Sequence, residues 1–459
     1  MLELHAQEGL NESSITEILT PYSFLEGAVY VSTSNEGAFS SMGANEAFIP
    51  YCGEGPSQTA KLAVYKLLAG ISGKPMAWGA LTGVKPVKKY DMLIRSGFSK
   101  EAARNYFARN YLISEPKMSL VEETYQNQLF GLGINEKQVS IYANIPICPS
   151  KCTYCSFPSI VTNDRALLEK YLDSLEREIE AVSPLLSGKG MTVVSAYIGG
   201  GTPTVLSEKQ LGRLMGLISP LLAGGAEVTI EAGRADTSTI EKLAITRHLG
   251  ANRVCINPQT TTAAALEASN RHIANELFAK AIENCKQLGY STINCDLLLG
   301  LEHESRQSAI KSLRDVMSLS PQSITLHSLA KKRNSELPLD AVTGNQLDVS
   351  SLHDEMRAIL STAGFEPYYL YKQKYAASSA ENVGYSLKGH ESFYNISMMS
   401  DRGSIIGVGA GSASKILSHG DPLSHENRHN TKDVVAYIKN PAGTIEAKTR
   451  FIEKMLYWA

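Results

Sequence analysis

The sequence lacks three things that would assign it quickly to a class. Net charge is nearly absent, with 44 basic residues against 46 acidic ones in 459, leaving −2. There is therefore no general pull toward nucleic acid or an anionic membrane, and an anionic ligand must be held by local charges. No run of ~18 apolar residues could span a bilayer, and the opening Met1-Leu-Glu-Leu-His-Ala-Gln-Glu8 lacks the basic and then apolar order of a secretory signal, so a cytoplasmic protein without a membrane span is expected. Cysteine is scarce, seven in all, too few and too unevenly spaced for a disulfide framework. Low-complexity segments are also missing. What remains is a length that fits about three domains at ~150 residues each.

The middle of the chain carries the clearest periodicity. From Ser140 to about Ala330, short β-branched runs alternate with amphipathic helices, the pattern of parallel strands joined by crossover helices. Six strands are predicted, at 139–145, 192–198, 227–232, 253–256, 292–298 and 323–326. Leu168, Tyr171, Leu172, Leu175, Ile179 and Val182 mark one helix face, with Asn163 as N-cap and Pro184 as stop. Further helix starts are signalled by Ser207, Thr237, Asn275 and Ser305, and stops by Gly250, Gly289 and Pro321. The expected fold class is α/β, a partial TIM-like (β/α)6 barrel over 138–335. Residues 1–137 break the repeat, with a strand at 28–32 and helices near 58–68, 100–111 and 118–129, and read as an N-terminal α+β domain. A helix at 349–362 with strands at 364–371 and 404–407 reads as a small C-terminal α+β domain, 336–459.

Three of the seven cysteines crowd into eight residues. Cys148, Cys152 and Cys155 follow one another at intervals of four and three, directly after the first predicted strand. Structural zinc wants four ligands, usually in pairs, and no partner pair is in sight. An iron-sulfur cubane normally takes four cysteines, so three imply a distant fourth or one open iron. Cys255, Cys285 and Cys295 are the candidates for a fourth, yet two sit in apolar strands and one on a helix, where a free cysteine packs as a small hydrophobe. Cys52, beside Gly53, is a loop thiol without an assigned role.

Cys-x-x-x-Cys-x-aromatic-Cys, with Tyr154 as the aromatic residue, resembles the signature of the radical S-adenosylmethionine (SAM) superfamily. The resemblance implies a 4Fe-4S cluster on Cys148, Cys152 and Cys155, whose open iron takes the amino and carboxylate groups of SAM. The reduced cluster then cleaves SAM to methionine and a 5′-deoxyadenosyl radical that abstracts hydrogen from the substrate. Gly199-Gly200-Gly201-Thr202-Pro203-Thr204 after the second strand resembles the coproporphyrinogen oxidase branch, where this segment meets the methionine part of SAM. Barrel sites gather at the C-terminal ends of strands; Glu231 ends the third predicted strand, Gln259 follows the fourth, Arg271 opens the next helix and Asp296 sits within the fifth strand. The resemblance implies that these four serve SAM, and that Tyr142 and Phe157 lie near cluster and cofactor.

The resemblance runs from Trp78-Gly-Ala-Leu-Thr-Gly-Val-Lys-Pro86 to Ile405-Ile-Gly-Val-Gly-Ala-Gly-Ser412, and is most like the oxygen-independent coproporphyrinogen III oxidases or dehydrogenases of the HemZ type. It implies oxidative decarboxylation of coproporphyrinogen III to protoporphyrinogen IX in heme biosynthesis, with a small reductant protein such as flavodoxin or ferredoxin as partner. Oxidases of this branch carry a further cysteine two residues after the third; here that position is Phe157, and relatives without that cysteine include a heme chaperone and heme-degrading enzymes. A heme-binding chaperone and a heme-modifying methyltransferase therefore stand as alternatives. The chaperones usually begin near the cysteine motif, so the preceding 137 residues favour the enzyme. A tetrapyrrole with four propionates needs cations beside an apolar surface. After the sixth strand and in the segment 368–374, Lys331, Arg333 and Lys374 are expected to meet propionates, while Tyr369 and Tyr371 lie along the macrocycle.

Overall fold

The protein is described by a computed structural model covering residues 2–5, 29–32, 56–132, 137–330, 332, 335–337, 347–373, 376–418 and 421–455. Six strands run parallel in sequence order: β1 (Gln138–Ile145), β2 (Thr192–Gly200), β3 (Leu222–Glu231), β4 (Arg253–Cys255), β5 (Thr292–Leu299) and β6 (Ser323–Ser328). Helices cross between them, so most of these strands are covered on both faces, which is why they read as apolar runs more than as alternation. The six predicted strands are therefore all present, with boundaries moved by a few residues.

Helix ends follow local chemistry with some shifts. Asp164, one residue after the expected Asn163, caps the helix Arg165–Gly188 by accepting the N–H groups of Ala166 and Leu167. Pro184 does not stop this helix; it lies inside the last turns, where it removes one backbone bond while the following Leu186 stays buried against the core. Thr239, not Thr237, caps the next-but-one helix, Ile240–His248.

Among the described residues the C-terminal segment, 336–459, forms no separate sheet. Its five strands extend the central sheet at both edges, giving eleven strands in the order β7-β8-β6-β5-β4-β3-β2-β1-β9-β10-β11. Strands β7 (Glu366–Lys372) and β8 (Glu381–Ser386) add antiparallel beside β6. Strand β9 (Ser404–Val408) pairs parallel with β1, and β10 (Ala413–Ser418) and β11 (Asp421–His429) follow antiparallel. The physical reason is that β1 and β6 would otherwise expose unpaired backbone edges.

Two buried carboxylates lock these additions in place. Glu178, on the helix Arg165–Gly188, accepts the Gly409 N–H at 2.8 Å, the Tyr437 hydroxyl at 2.6 Å and the Asn430 amide at 2.8 Å, and pairs with Lys448 at 3.1 Å. Glu381, at the start of β8, accepts Trp78 Nε1 at 2.7 Å and Lys117 Nζ at 2.7 Å. Trp78 and Lys117 belong to the N-terminal part, whose helices Pro86–Arg95, Lys100–Tyr111 and Glu115–Gln128 surround a core of Tyr90, Phe107 and Tyr125. The first of these three helices was not anticipated from the sequence; it opens on Pro86 at its first turn, a position where the missing N–H costs nothing. Strands Leu2–His5 and Val29–Ser32 pair in parallel. Among the described residues no helix is long and apolar enough to cross a membrane.

Candidate active site

The C-terminal ends of β1, β2, β3, β5 and β6 face one mouth. β1 runs into the cysteine loop, which is folded back by a short parallel pairing of Ile147–Cys148 with Ile160–Val161. The loop is pinned from outside as well: the Thr153 N–H donates to the Ser269 carbonyl at 3.2 Å, Asn270 Nδ2 to the Lys151 carbonyl at 2.8 Å, and the Glu336 N–H to the Thr153 carbonyl at 2.9 Å. All three thiols are free; Cys152 is buried, Cys148 and Cys155 half-buried. Burial and the neighbouring sulfurs push the Cys155 thiol up, against a backbone hydrogen bond at Phe157. Three free thiols on one loop are a donor set that a metal cluster would stabilise as thiolates. Among the described residues no three His, Cys, Asp or Glu side chains converge on a single-ion position; a cubane, where each cysteine holds its own iron, asks for no such convergence.

The glycine run after β2 seats this loop. The Gly201 N–H donates to the Ile145 carbonyl and the Thr202 N–H to the Ile147 carbonyl, each at 2.8 Å. A Cβ on Gly201 would lie 2.8 Å from Cys148 Sγ and 2.6 Å from the Ile147 oxygen, and one on Gly200, at φ +118°, would lie 2.1 Å from Asn144 Oδ1. The glycines are thus required by the protein's own backbone before any ligand is considered. Thr202 Oγ1 donates to Cys148 Sγ at 3.6 Å, and Ser159 Oγ lies 3.5 Å from the same sulfur.

Arg271 is placed differently from the expectation. It is 5% exposed. Its Nη2 donates to the carbonyls of Gly233 and Asn257, and its Nη1 reaches Cys152 Sγ at 3.8 Å. The guanidinium fork is largely occupied by protein and turned toward the cysteine loop, with Nε buried and unpartnered. Tyr154 packs into the same corner, its phenol driven up by burial and by Cys152 while Arg271 opposes the shift. Arg234, just after β3, anchors the loop from another side, donating to Ser150 Oγ at 2.9 Å while clamped by Asp236.

Glu231 ends β3 and accepts the Tyr197 hydroxyl at 2.6 Å and the Gly200 N–H at 3.3 Å. Burial pushes its carboxyl up to about 7, against the Tyr197 hydrogen bond that favours the charged form. Tyr142 donates to Asn144 Oδ1 at 3.1 Å, and the rings of Tyr142 and Tyr197 stack on Tyr394 at 6.2 and 4.6 Å. Asp296 on β5 accepts Asn294 Nδ2 at 2.7 Å, and its Oδ2 lies 3.6 Å from His327 Nε2. Gln259 holds a left-handed backbone, φ +69°, fixed by its N–H on the Asp296 carbonyl at 3.0 Å and its own carbonyl on the Leu298 N–H at 2.8 Å. A non-glycine residue held there marks a position the surroundings over-determine. Phe157 is half-buried at the loop's exit, its carbonyl accepting the Ser159 N–H at 2.8 Å.

Lys331, Arg333 and Lys374, expected to meet propionates, lie outside the described residues, as does Cys52. Tyr369 and Tyr371 stack nearly parallel on β7, 9° apart with centroids at 6.4 Å. Cys285 and Cys295 are buried in the core, while buried Cys255 lies 4.0 Å from the Tyr197 hydroxyl. Sequence reasoning missed Tyr197, Tyr394, Asn144, Arg234 and His327. Tyr197 and His327 had a signal, since each sits within three residues of a strand's C-terminal end; Tyr394 had none, because its helix Phe393–Ser400 reaches the barrel from far along the chain.

Residues 145–316 match the Radical SAM superfamily. Over 400 residues the chain is 35% identical to the oxygen-independent coproporphyrinogen-III oxidase-like protein HemZ of Bacillus subtilis, covering 85% of this chain and 79% of that one. It is 31% identical over 256 residues to the oxygen-independent coproporphyrinogen III oxidase of Pseudomonas aeruginosa, 52% of this chain and 55% of that one. It is 27% identical over 281 residues to the heme chaperone HemW of Buchnera aphidicola, 61% and 70% of the two chains. The fold resembles that of coproporphyrinogen III oxidase (HemN) from Escherichia coli, described as a radical SAM enzyme, with a TM-score of 0.53 at 22% identity, covering 70% of this chain and 73% of that one.

Proposed function

The chain belongs to the radical SAM superfamily and, within it, to the family of HemZ-like coproporphyrinogen-III oxidase-like proteins, and on that premise we propose that it catalyses oxygen-independent oxidative decarboxylation of two propionates of coproporphyrinogen III to vinyl groups, giving protoporphyrinogen IX. The observation that carries the chemistry is the meeting of three free thiols with Glu231 and Asp296 at one mouth. In this reading Cys148, Cys152 and Cys155 hold a 4Fe-4S cluster, and Glu231, Gln259 and Asp296 receive the polar groups of SAM. When bound, these two groups together supply a hydrogen-abstracting radical.

The chain's own residues then bind and orient. Gly200 and Gly201 let the β2 end approach the loop, and Thr202 and Arg271 donate toward its sulfurs. Glu231, with a carboxyl near neutrality, is proposed to accept an N–H of the SAM amino group once ionised. Tyr369 and Tyr371 offer an aromatic flank to a macrocycle, and the cationic residues Lys331, Arg333 and Lys374 are proposed to meet its carboxylates. No general acid or base is required, since the cofactor performs the difficult step and the protein positions it. The reductant is proposed to be a small flavodoxin- or ferredoxin-like protein and the compartment the cytoplasm.

A second reading, heme binding in a chaperone-like role, is supported by the similarity to HemW over 70% of that protein and by Phe157. Anaerobic incubation of the cluster-loaded, reduced protein with SAM and coproporphyrinogen III decides between them. Protoporphyrinogen with 5′-deoxyadenosine formed in step with each propionate lost supports the enzyme. Stoichiometric heme binding with little SAM cleavage and no vinyl product overturns it.

A further inference from the structure

His327 has no part in the reading above, yet it stands between the two halves of the mouth. It lies on β6, beside β5 and Asp296. Nε2 faces Asp296 Oδ2 at 3.6 Å, while Nδ1 lies 3.2 Å from Asn382 Oδ1 on β8 and 3.3 Å from the Tyr371 hydroxyl on β7. The identity of the Asn382 atom is fixed by its other partners: the Ser328 N–H donates to Oδ1 at 3.1 Å, and Nδ2 donates to the Tyr371 carbonyl at 3.4 Å. Both ring nitrogens therefore face polar partners, Nε2 a carboxylate and Nδ1 an amide oxygen and a hydroxyl that can donate or accept.

His327 thus stands with one nitrogen toward the acidic side of the mouth and the other toward the aromatic side. Its separation from Asp296 exceeds the ~2.7–2.9 Å of a charge-assisted hydrogen bond. The pair therefore has room to tighten or open as either side is filled.

Resting on the proposed reading of the site, we infer that His327 is a positioning residue that couples the two halves. It holds Asp296 charged and aimed while fixing Tyr371 and Asn382, so that SAM and a tetrapyrrole tetracarboxylate each strengthen the binding of the other. Such coupling is reciprocal.

The test measures the dissociation constant of SAM on anaerobic, cluster-loaded protein with and without coproporphyrin III, the unreactive oxidised macrocycle. In the unaltered protein coproporphyrin III should tighten SAM binding about fivefold or more. His327→Gln should abolish that tightening with iron content and melting temperature retained, His327→Lys should restore part of it, and His327→Gln should add little to the loss caused by Asp296→Asn. Full tightening in His327→Gln, or additive losses in the double variant, overturns the inference; so does the absence of any tightening where both ligands bind. If coproporphyrin III does not bind at all, the substrate reading fails separately, and additivity of Asp296→Asn and His327→Gln on SAM affinity alone still decides the role of His327. If His327→Gln does not accumulate, Tyr371→Phe, which removes one hydroxyl, must lower the tightening for the inference to stand.

Discussion

Arg271 Nη1 lies 3.8 Å from Cys152 Sγ while Nη2 of the same guanidinium is tied to the carbonyls of Gly233 and Asn257. A buried cation donating to a cluster thiolate favours the more negative, reduced state of the cluster, because hydrogen bonds and charge near the sulfurs set its potential. Arg271→Lys, which cannot keep both carbonyls and the sulfur, and Arg271→Gln, which removes the charge, should shift the cluster to a more negative potential in a spectroscopically followed redox titration. Losses of ~10–100-fold in cluster affinity or turnover are expected for a supporting residue of this kind. An unchanged potential would show that the guanidinium acts elsewhere.

Cys148→Ala, Cys152→Ala and Cys155→Ala should each abolish a stable cluster, because three thiolates already leave one iron without a protein ligand. Iron content and visible absorbance of anaerobically purified protein report it. Cys255→Ala and Cys295→Ala should keep the cluster, since both thiols are buried among strand residues.

Two glycine substitutions separate seat from scaffold. Gly201→Ala drives a methyl group against the Ile147 backbone and Cys148 Sγ, at 2.6 and 2.8 Å, and should block cluster assembly. Gly216→Ala, on the helix Glu208–Ile218 with nothing within 4 Å of the added Cβ, should leave the cluster intact and stabilise the protein by roughly 0.5–1 kcal/mol. Iron content together with thermal melting reads both.

Glu231 gives a pH signature. With its carboxyl pushed up to about 7, the free site is increasingly protonated below neutrality and must lose that proton to accept an N–H of the SAM amino group. SAM affinity should therefore rise as pH goes from 6 to 7.5. Glu231→Gln should flatten this dependence and weaken binding by ~1.5–3 kcal/mol, the range for a lost charged hydrogen bond. Anaerobic titrations at several pH values check it, and an equally steep dependence in the variant would move the titrating group elsewhere.

The Lys117–Glu381 pair governs acid stability. Burial alone would raise the Glu381 carboxyl, but Lys117, His353 and the Trp78 N–H hold it down at about 2. Its contribution is thus fully present above the unfolded carboxylate range and is lost as pH falls from about 4.5 toward 2. Lys117→Met leaves a buried carboxylate unpaired and should cost ~3–5 kcal/mol, with the loss measured by denaturant unfolding at pH 7 and shrinking toward pH 3.

The βα repeat, the cysteine loop and the glycine seat were legible because each is written locally. Strand runs between Val139 and Leu326 have both faces buried, so their composition alone marks them, and Cys148, Cys152 and Cys155 sit within one loop. Glu231 could be placed by counting strand ends. That the C-terminal strands join the central sheet was not legible because edge pairing leaves no local mark: nothing in residues 404–408 tells that their partner is 139–143. Pro184 misled for a related reason, since its cost was offset by packing of the residues that follow.

Composition, periodicity and motif spacing thus determined a parallel βα core with a three-thiol loop at its mouth, because those features depend on contacts between residues close in sequence. What Arg271 touches, which tyrosines enclose Glu231, and that His327 joins Asp296 to Tyr371 and Asn382 were decided only by tertiary structure. Each rests on side chains brought together across 14 to 119 residues or more of chain, where the geometry of an eleven-stranded sheet, rather than any local preference, sets the distance and the partner.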